Sequence, residues 1–258
     1  MGGAVRVRQD AMASTQFMLA VRRLVSIGLT VGCLLVLLPA GCGPQLKNPD
    51  VLVAPDVPSV WAVVPMTNES GVSQADMLAF SDILVQQIEE VHGLQCLPLN
   101  RTISAMQALG LKTVMTNADA RLLQQVLQVD GLVVGTVTAW DPYPPIVLGA
   151  ALQLYLRDAG HQQMNPRDVV MAFRERDETG SNHGGSIIQA SGLFDASNHR
   201  TLVDLANFAR GRHVPDSAFG EDVYLVSMDR YTQFASFRLV RQLLLQQQIA
   251  LTAQATDD

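Results

Sequence analysis

Val129-Asp130-Gly131-Leu132-Val133-Val134-Gly135-Thr136-Val137-Thr138-Ala139-Trp140 is the stretch from which the fold is read. Its β-branched run follows the turn pair Asp130-Gly131 and ends at Asp141-Pro142-Tyr143-Pro144-Pro145, so it predicts a strand over 132–140 and then a stiff turn, because proline fixes φ. Val147 to Leu156 returns from that turn with Leu152, Leu154 and Leu156 alternating against Gln153 and Tyr155. That alternation is the mark of an antiparallel pair with one buried face, and it makes the two strands neighbours. Ile187 to Phe194 is the third strand of the meander. Residues 158–186, polar, charged and Gly-rich apart from Val169 to Phe173, read as a loop excursion between the second and third.

Upstream, Val60-Trp61-Ala62-Val63-Val64 is a continuous apolar run ended by Pro65, expected of a strand covered on both faces. A turn at Asn68-Glu69-Ser70-Gly71 leads to a segment in which Met77, Phe80, Leu84, Ile88 and Val91 recur three and four residues apart. Gln86, Gln87, Glu89 and Glu90 fall on its other side, so an amphipathic helix ending at Gly93 follows. Leu94 to Leu99 predicts a short strand. Asn100 is placed to cap a helix running to Gly110, and Asn117 a helix on which Leu123, Val126 and Leu127 share a face and which Asp130-Gly131 ends. Two helices are expected to close the chain. One covers Asn198 to Arg210; the other is long, with Tyr231, Phe234, Phe237, Val240 and Leu244 at helical spacing. The fold class is therefore α/β, a single domain over 58–258 built on a mixed sheet of about five strands, ordered βαβαα and then an antiparallel meander, with helices packed on it and a long C-terminal helix.

The first part of the chain reads differently. From Leu24 to Ala40 no residue is charged, Arg22-Arg23 precede, and Leu37-Leu38-Pro39-Ala40-Gly41-Cys42 closes the run with small residues, the layout of a secretory signal. The closing hexapeptide resembles the bacterial lipobox, although Pro39 stands where that family has Leu. The resemblance implies that residues 1–42 are a lipoprotein signal peptide, that Cys42 is acylated, and that cleavage makes Cys42 the first residue of the mature chain. A start at Met18 would give a signal of ordinary length. The alternative is a plain transmembrane anchor, but the apolar run is 17 residues, at the short end of the about 17 to 25 that span a bilayer, and no basic cluster follows it. Residues 43–57, broken by Gly43, Pro44 and Pro55, read as a flexible tether. Gly43 after the cysteine, rather than Asp, resembles outer-membrane rather than inner-membrane sorting.

Charge and cysteine content narrow the function. The chain of 258 residues carries a formal net charge of −6, and without residues 1–42 it keeps 14 basic against 23 acidic side chains. Nucleic-acid binding is disfavoured, since it needs a basic face that releases counterions. Of the three cysteines, Cys33 lies in the signal and Cys42 at its end, so Cys96, within Leu94-Gln95-Cys96-Leu97, is expected to be a small buried hydrophobe.

No catalytic constellation emerges. Gly184-Gly185-Ser186-Ile187-Ile188 fails the nucleophile-elbow pattern at its last position and leads into a strand. Asn68-Glu69-Ser70-Gly71 has one glycine and lacks the Gly-Lys-Ser/Thr ending of a phosphate loop. His92, His161, His183, His199 and His213 include no pair at metal-ligand spacing on a helix, so no metal and no cofactor are expected. Arg174-Glu175-Arg176-Asp177-Glu178 is mixed charge in a polar stretch and reads as solvated. Trp61, Trp140 and the Tyr231, Phe234 and Phe237 face read as core. The Asp141-Pro142-Tyr143-Pro144-Pro145 turn alone presents an aromatic on a rigid support, which makes Asp141, Tyr143 and Pro144 the protein-contact candidates; the alternative is a turn selected only for rigidity.

Trp61-Ala62-Val63-Val64-Pro65 with Asn68-Glu69-Ser70-Gly71, a helix, a short strand, and Val129 to Thr138 followed by an antiparallel return strand together resemble the periplasmic α/β domain shared by curli-secretion-channel lipoproteins, lipoprotein activators of penicillin-binding proteins, flagellar envelope lipoproteins and the amino-terminal domain of TolB. The resemblance covers residues 58–195. It implies a lipid-anchored, periplasm-facing, non-catalytic component that binds an envelope protein partner, with no small-molecule substrate identified. A subunit of a self-assembling outer-membrane secretion channel is the alternative; it would need long amphipathic strands, of which 158–186 offers only Val169 to Phe173.

Overall fold

The computed structural model of the chain describes residues 50–54, 59–157, 187–213 and 217–257. Elements follow in the order β1 (Ser59–Val63), β2 (Thr67–Asn68), α1 (Met77–Glu89), β3 (Leu94–Cys96), α2 (Leu99–Ala108), α3 (Asn117–Leu127), β4 (Gly131–Asp141), β5 (Val147–Leu156), β6 (Ile187–Asp195), α4 (His199–Ala209), a 3-10 turn, α5 (Val223–Val226) and α6 (Met228–Asp257). The sheet order is β3-β1-β4-β5-β6, with β2 also pairing β4. β1 runs parallel to β3 and β4, whereas β4-β5 and β5-β6 are antiparallel. The mixed α/β architecture thus matches the sequence reading. The stretch read as the loop excursion, 158–186, lies outside the described residues, as do Cys42 and the signal around it.

The sixth strand is β2. Pro65 interrupts the β1 ladder, and the chain rejoins β4 two residues later, placing Thr67 against Thr136 and Asn68 against Val137. The interruption is satisfied locally: the Met66 N–H donates to Ser81 Oγ at 2.9 Å, and that hydroxyl donates to the Met77 carbonyl at 2.6 Å. Asn68 belongs to the strand end, and its Oδ1 accepts from the Ser70 N–H at 3.0 Å to form the turn that follows.

Strand alternation divides the core into two layers. Trp61 and Val63 of β1 and Val133 and Val137 of β4 face α1 and α6 with Phe80, Leu84, Leu152 and Phe234. Ala62, Val64 and Leu132 face the opposite way, toward Met106 of α2 and Leu123 of α3. Both faces of β1 are therefore covered, as its unbroken apolar run requires. On the α2-α3 side the cover stops at β4 and the near end of β5, and Gln153, Gln189, Ser191 and Leu193 are exposed. Side chains fill the space over Gly135 on the other face: a Cβ there would lie 2.3 Å from Met66 Sδ and 2.6 Å from Leu152 Cδ2.

Several local expectations are corrected. Thr116, not Asn117, caps α3, in a capping box with Asp119; Asn117 instead accepts a hydrogen bond from the Tyr155 hydroxyl at 2.8 Å. Pro98, not Asn100, holds the cap position of α2, which suits a residue without an N–H to leave unpaired. Gln128, at φ 57°, ends α3 in the left-handed region ahead of Asp130-Gly131. Tyr155 is buried rather than on an open face, because α3 covers it. Gln87 is buried too, and with Val91 it lines a cleft at the end of α1.

α6 is buried over a wider arc than one stripe. Besides Tyr231, Phe234, Phe237, Val240 and Leu244, the polar Thr232, Ser236 and Gln247 lie inside. Aromatic rings tie its first half to its neighbours: Phe234 meets Phe194 of β6 edge-on at 5.7 Å, and Phe237 meets Phe208 of α4 at 5.0 Å. Arg238 pairs with Asp204 of α4 at 3.0 Å.

Candidate functional site

The turn between β4 and β5 is held from below. Asp141 pairs with Val147 to close the hairpin, and Ile146, fully buried, accepts the Ala196 N–H at 2.9 Å. Trp140 packs beside Phe80, ring centroids 6.4 Å apart. A register shift between Val137 and Ala139 puts an irregularity into β4 just before the turn, the kind of bulge that re-aims a strand end. Above this base, residues 141–145 are all exposed. Asp141 Oδ1 accepts the Tyr143 N–H at 3.1 Å, and the flanking prolines fix φ on either side. Tyr143 is 77% exposed. The structure thus brings Asp141, Tyr143 and Pro144 together on one solvent-facing tip.

Other candidates scatter. His92, His199 and His213 sit on separate elements; His213 Nδ1 lies 3.0 Å from the Ala209 carbonyl and 3.9 Å from Glu221. His161, His183, Ser186 and the Arg174 to Glu178 stretch lie outside the described residues. Cys96 is buried in β3, and burial, with the nearby Glu89 charge, pushes its thiol pKa up to about 12. A thiol held neutral in this way is a poor nucleophile. Among the described residues no group of three or more His, Cys, Asp or Glu side chains could hold a metal ion, and no helix is long and apolar enough to cross a membrane.

The end of α1 also borders a cleft. About 380 Å³ of space lies between it, the chain at Asp50 to Leu52, α5 and the start of α6. The segment 50–54 is joined to the domain there: Ala54 donates to the His92 carbonyl at 2.9 Å, His92 donates to that of Leu52 at 2.8 Å, and Arg212 Nη2 donates to that of Asp50 at 2.7 Å. Gln87, Tyr224 and Arg230 line this cleft and carry no motif. The signal that could have found Gln87 is its place among Leu84, Ile88 and Val91 on an otherwise apolar stripe.

No protein-family model matches the chain, and no curated relative matches its sequence. Among solved structures the chain is similar to the LpoB C-terminal domain from Salmonella enterica, at 15% identity over 56% of this chain and 86% of that one, with a TM-score of 0.36. It is also similar to the PelC dodecamer from Paraburkholderia phytofirmans, at 11% identity over 77% and 94% with a TM-score of 0.34. Lipoprotein GNA1162 from Neisseria meningitidis is 14% identical over 48% of this chain and 100% of its own, with a TM-score of 0.28.

Proposed function

We propose that this chain is a cell-envelope lipoprotein, anchored through a lipid on Cys42 and facing the periplasm, whose α/β domain is a non-catalytic binding component that docks on an envelope protein through the Asp141 to Pro145 turn. The observation that carries the docking reading is Tyr143, 77% exposed on a turn whose backbone is fixed by Asp141 and by proline. An aromatic held in place before binding loses little entropy on contact and can act as an interface anchor. The anchor rests on Leu37-Leu38-Pro39-Ala40-Gly41-Cys42, and Gly43 favours the outer membrane.

Two experiments test this. A photo-crosslinking residue at position 143, activated in intact cells, is expected to give one discrete adduct that co-purifies as a defined envelope complex; recovery of the free monomer alone would refute docking through the turn. Intact mass of the membrane-extracted protein is expected to show a chain beginning at Cys42 with lipid added. An uncleaved chain would refute the anchor.

A further inference from the structure

The cleft beside α1 is built with two polar poles over a buried floor. Gln87 and Tyr224, at its base, are 5% and 2% exposed. Gln87 Nε2 donates to Glu90 Oε1 at 3.1 Å, which fixes the orientation of the amide, and its Oε1 is left buried with no hydrogen-bond partner. A buried acceptor without a donor is a standing cost to the fold, and here it holds the Gln87 amide as part of the floor rather than as a ligand contact. Glu90, exposed at the rim, adds a carboxylate to the same pole.

The other pole donates. Arg230 is exposed at the rim and gives one N–H to Gln233 Oε1 at 3.2 Å; its remaining N–H groups have no partner among the described residues. Arg212 is committed as a wall, its guanidinium 4.5 Å from the Phe208 ring centroid and bonded to the Asp50 and Phe208 carbonyls. The Tyr224 hydroxyl lies within the field of every one of these charges: burial raises its pKa, Arg230 and Arg212 lower it, and Glu90 raises it. Leu52 and Val91 supply an apolar strip beside the poles. A simple anion would meet Glu90, and a simple cation would meet Arg230 and Arg212, whereas a dipolar ligand satisfies both ends.

We infer that this cleft binds a small zwitterion of the amino-acid or short-peptide class, with its ammonium at Glu90, its carboxylate at Arg230 and the Tyr224 hydroxyl, and an apolar side chain along Leu52 and Val91. Its volume lies within the range of small-ligand sites. The site shares no residue with the Asp141 to Pro145 turn, and its test does not depend on Cys42 or on a protein partner.

The test is calorimetric titration of the full chain, in detergent, with leucine, with glycyl-leucine and with the capped N-acetyl-leucinamide. Leucine or glycyl-leucine is expected to bind at millimolar concentration or tighter and the capped amide not to bind. Arg230→Gln, a rim change that leaves the fold intact, and Tyr224→Phe are each expected to weaken that binding about tenfold, the loss of one hydrogen bond to a charged group. The inference is overturned by the absence of binding heat with both uncapped ligands, by equal binding of the capped amide, or by unchanged affinity in Arg230→Gln.

Discussion

Asp130 and Val60 bind each other twice: the Val60 N–H donates to Asp130 Oδ2 at 2.9 Å, and the Asp130 N–H donates to the Val60 carbonyl at 2.7 Å. The pair fixes β1 to the entry of β4, a parallel junction that joins β3-β1 to β4-β5-β6. The Asp130 carbonyl is in turn held by Gln124 Nε2 at 3.0 Å and by the Arg157 N–H at 2.8 Å. Asp130→Ala, which orphans the Val60 N–H, is expected to cost about 1–2 kcal/mol in unfolding free energy by urea titration, and Asp130→Asn, which keeps an acceptor, less.

Gly135 of β4 is crowded by the side chains of Met66 and of its β5 partner Leu152. A Cβ there would fall 2.3 Å from Met66 Sδ and 2.6 Å from Leu152 Cδ2, both buried. Since the methionine is flexible but the leucine is packed, Gly135→Ala is expected to destabilise by about 1–3 kcal/mol, the range for overpacking a core. Combining it with Met66→Ala should recover part of that loss, a non-additivity that a double-mutant cycle would measure.

Cys96 makes stability fall in alkali. Its thiol pKa is raised from 9.0 to about 12 in the folded chain, by burial first and by Glu89 second. Between those values the unfolded chain has lost a proton that the folded chain still holds, so the unfolding free energy declines as pH rises; below pH 9 both states keep the proton and the full stability is present. The slope from one such group is about 1.4 kcal/mol per pH unit. Tyr155, Tyr224 and Tyr231 are also raised by burial and add to the decline at higher pH. Comparing Cys96→Ala with the unaltered chain from pH 8 to 11 therefore isolates the thiol: the variant is expected to show the shallower slope.

Gln87 forms part of the buried floor of the cleft. Its unpaired Oε1 is a cost carried by the free protein. Gln87→Met keeps the volume, removes that acceptor and forgoes only a bond to the exposed Glu90. The variant is expected to gain about 1 kcal/mol of stability, measured by thermal unfolding without ligand.

The strands were legible because each carries its pattern within itself: Val60 to Val64 reads as doubly covered, and Leu152 and Leu154 as the buried side of a hairpin, without knowledge of what covers them. Helix faces were nearly as clear, since Phe80, Leu84 and Ile88 or Tyr231, Phe234 and Phe237 fix a stripe by spacing alone. What escaped depends on distant neighbours. Thr116 and Asn117 are both able caps, and Asp119 together with the Tyr155 hydroxyl decides between them. Tyr155 looked open because α3, well upstream in the chain, is what closes over it. β2 was missed because two residues after a proline carry no periodicity at all. At the turn, Asp141, Tyr143 and Pro144 were legible for the opposite reason: proline and aspartate determine local geometry with no help from the rest of the fold. The cleft was not, since Gln87, Tyr224 and Arg230 meet only after α1, α5 and α6 have packed.

Tyr143 separates binding from folding. Its side chain lies outside the core, and its backbone N–H, which Asp141 Oδ1 holds, survives any substitution but proline. Tyr143→Ala is therefore expected to leave the unfolding free energy within about 0.5 kcal/mol of the unaltered chain. If the turn is the docking surface, the same change removes an anchor whose loss typically costs 2 kcal/mol or more at an interface, roughly a thirtyfold weakening. Asp141→Ala frees the turn backbone while keeping the ring, so it should weaken docking less than Tyr143→Ala, through the entropy of reordering the turn. The comparison is made by crosslinking yield in intact cells from a second reporter site elsewhere on the domain, at matched protein levels. A yield unchanged by Tyr143→Ala would mean that the turn is rigid for the sake of the hairpin alone, and that the partner is met by another face of the sheet.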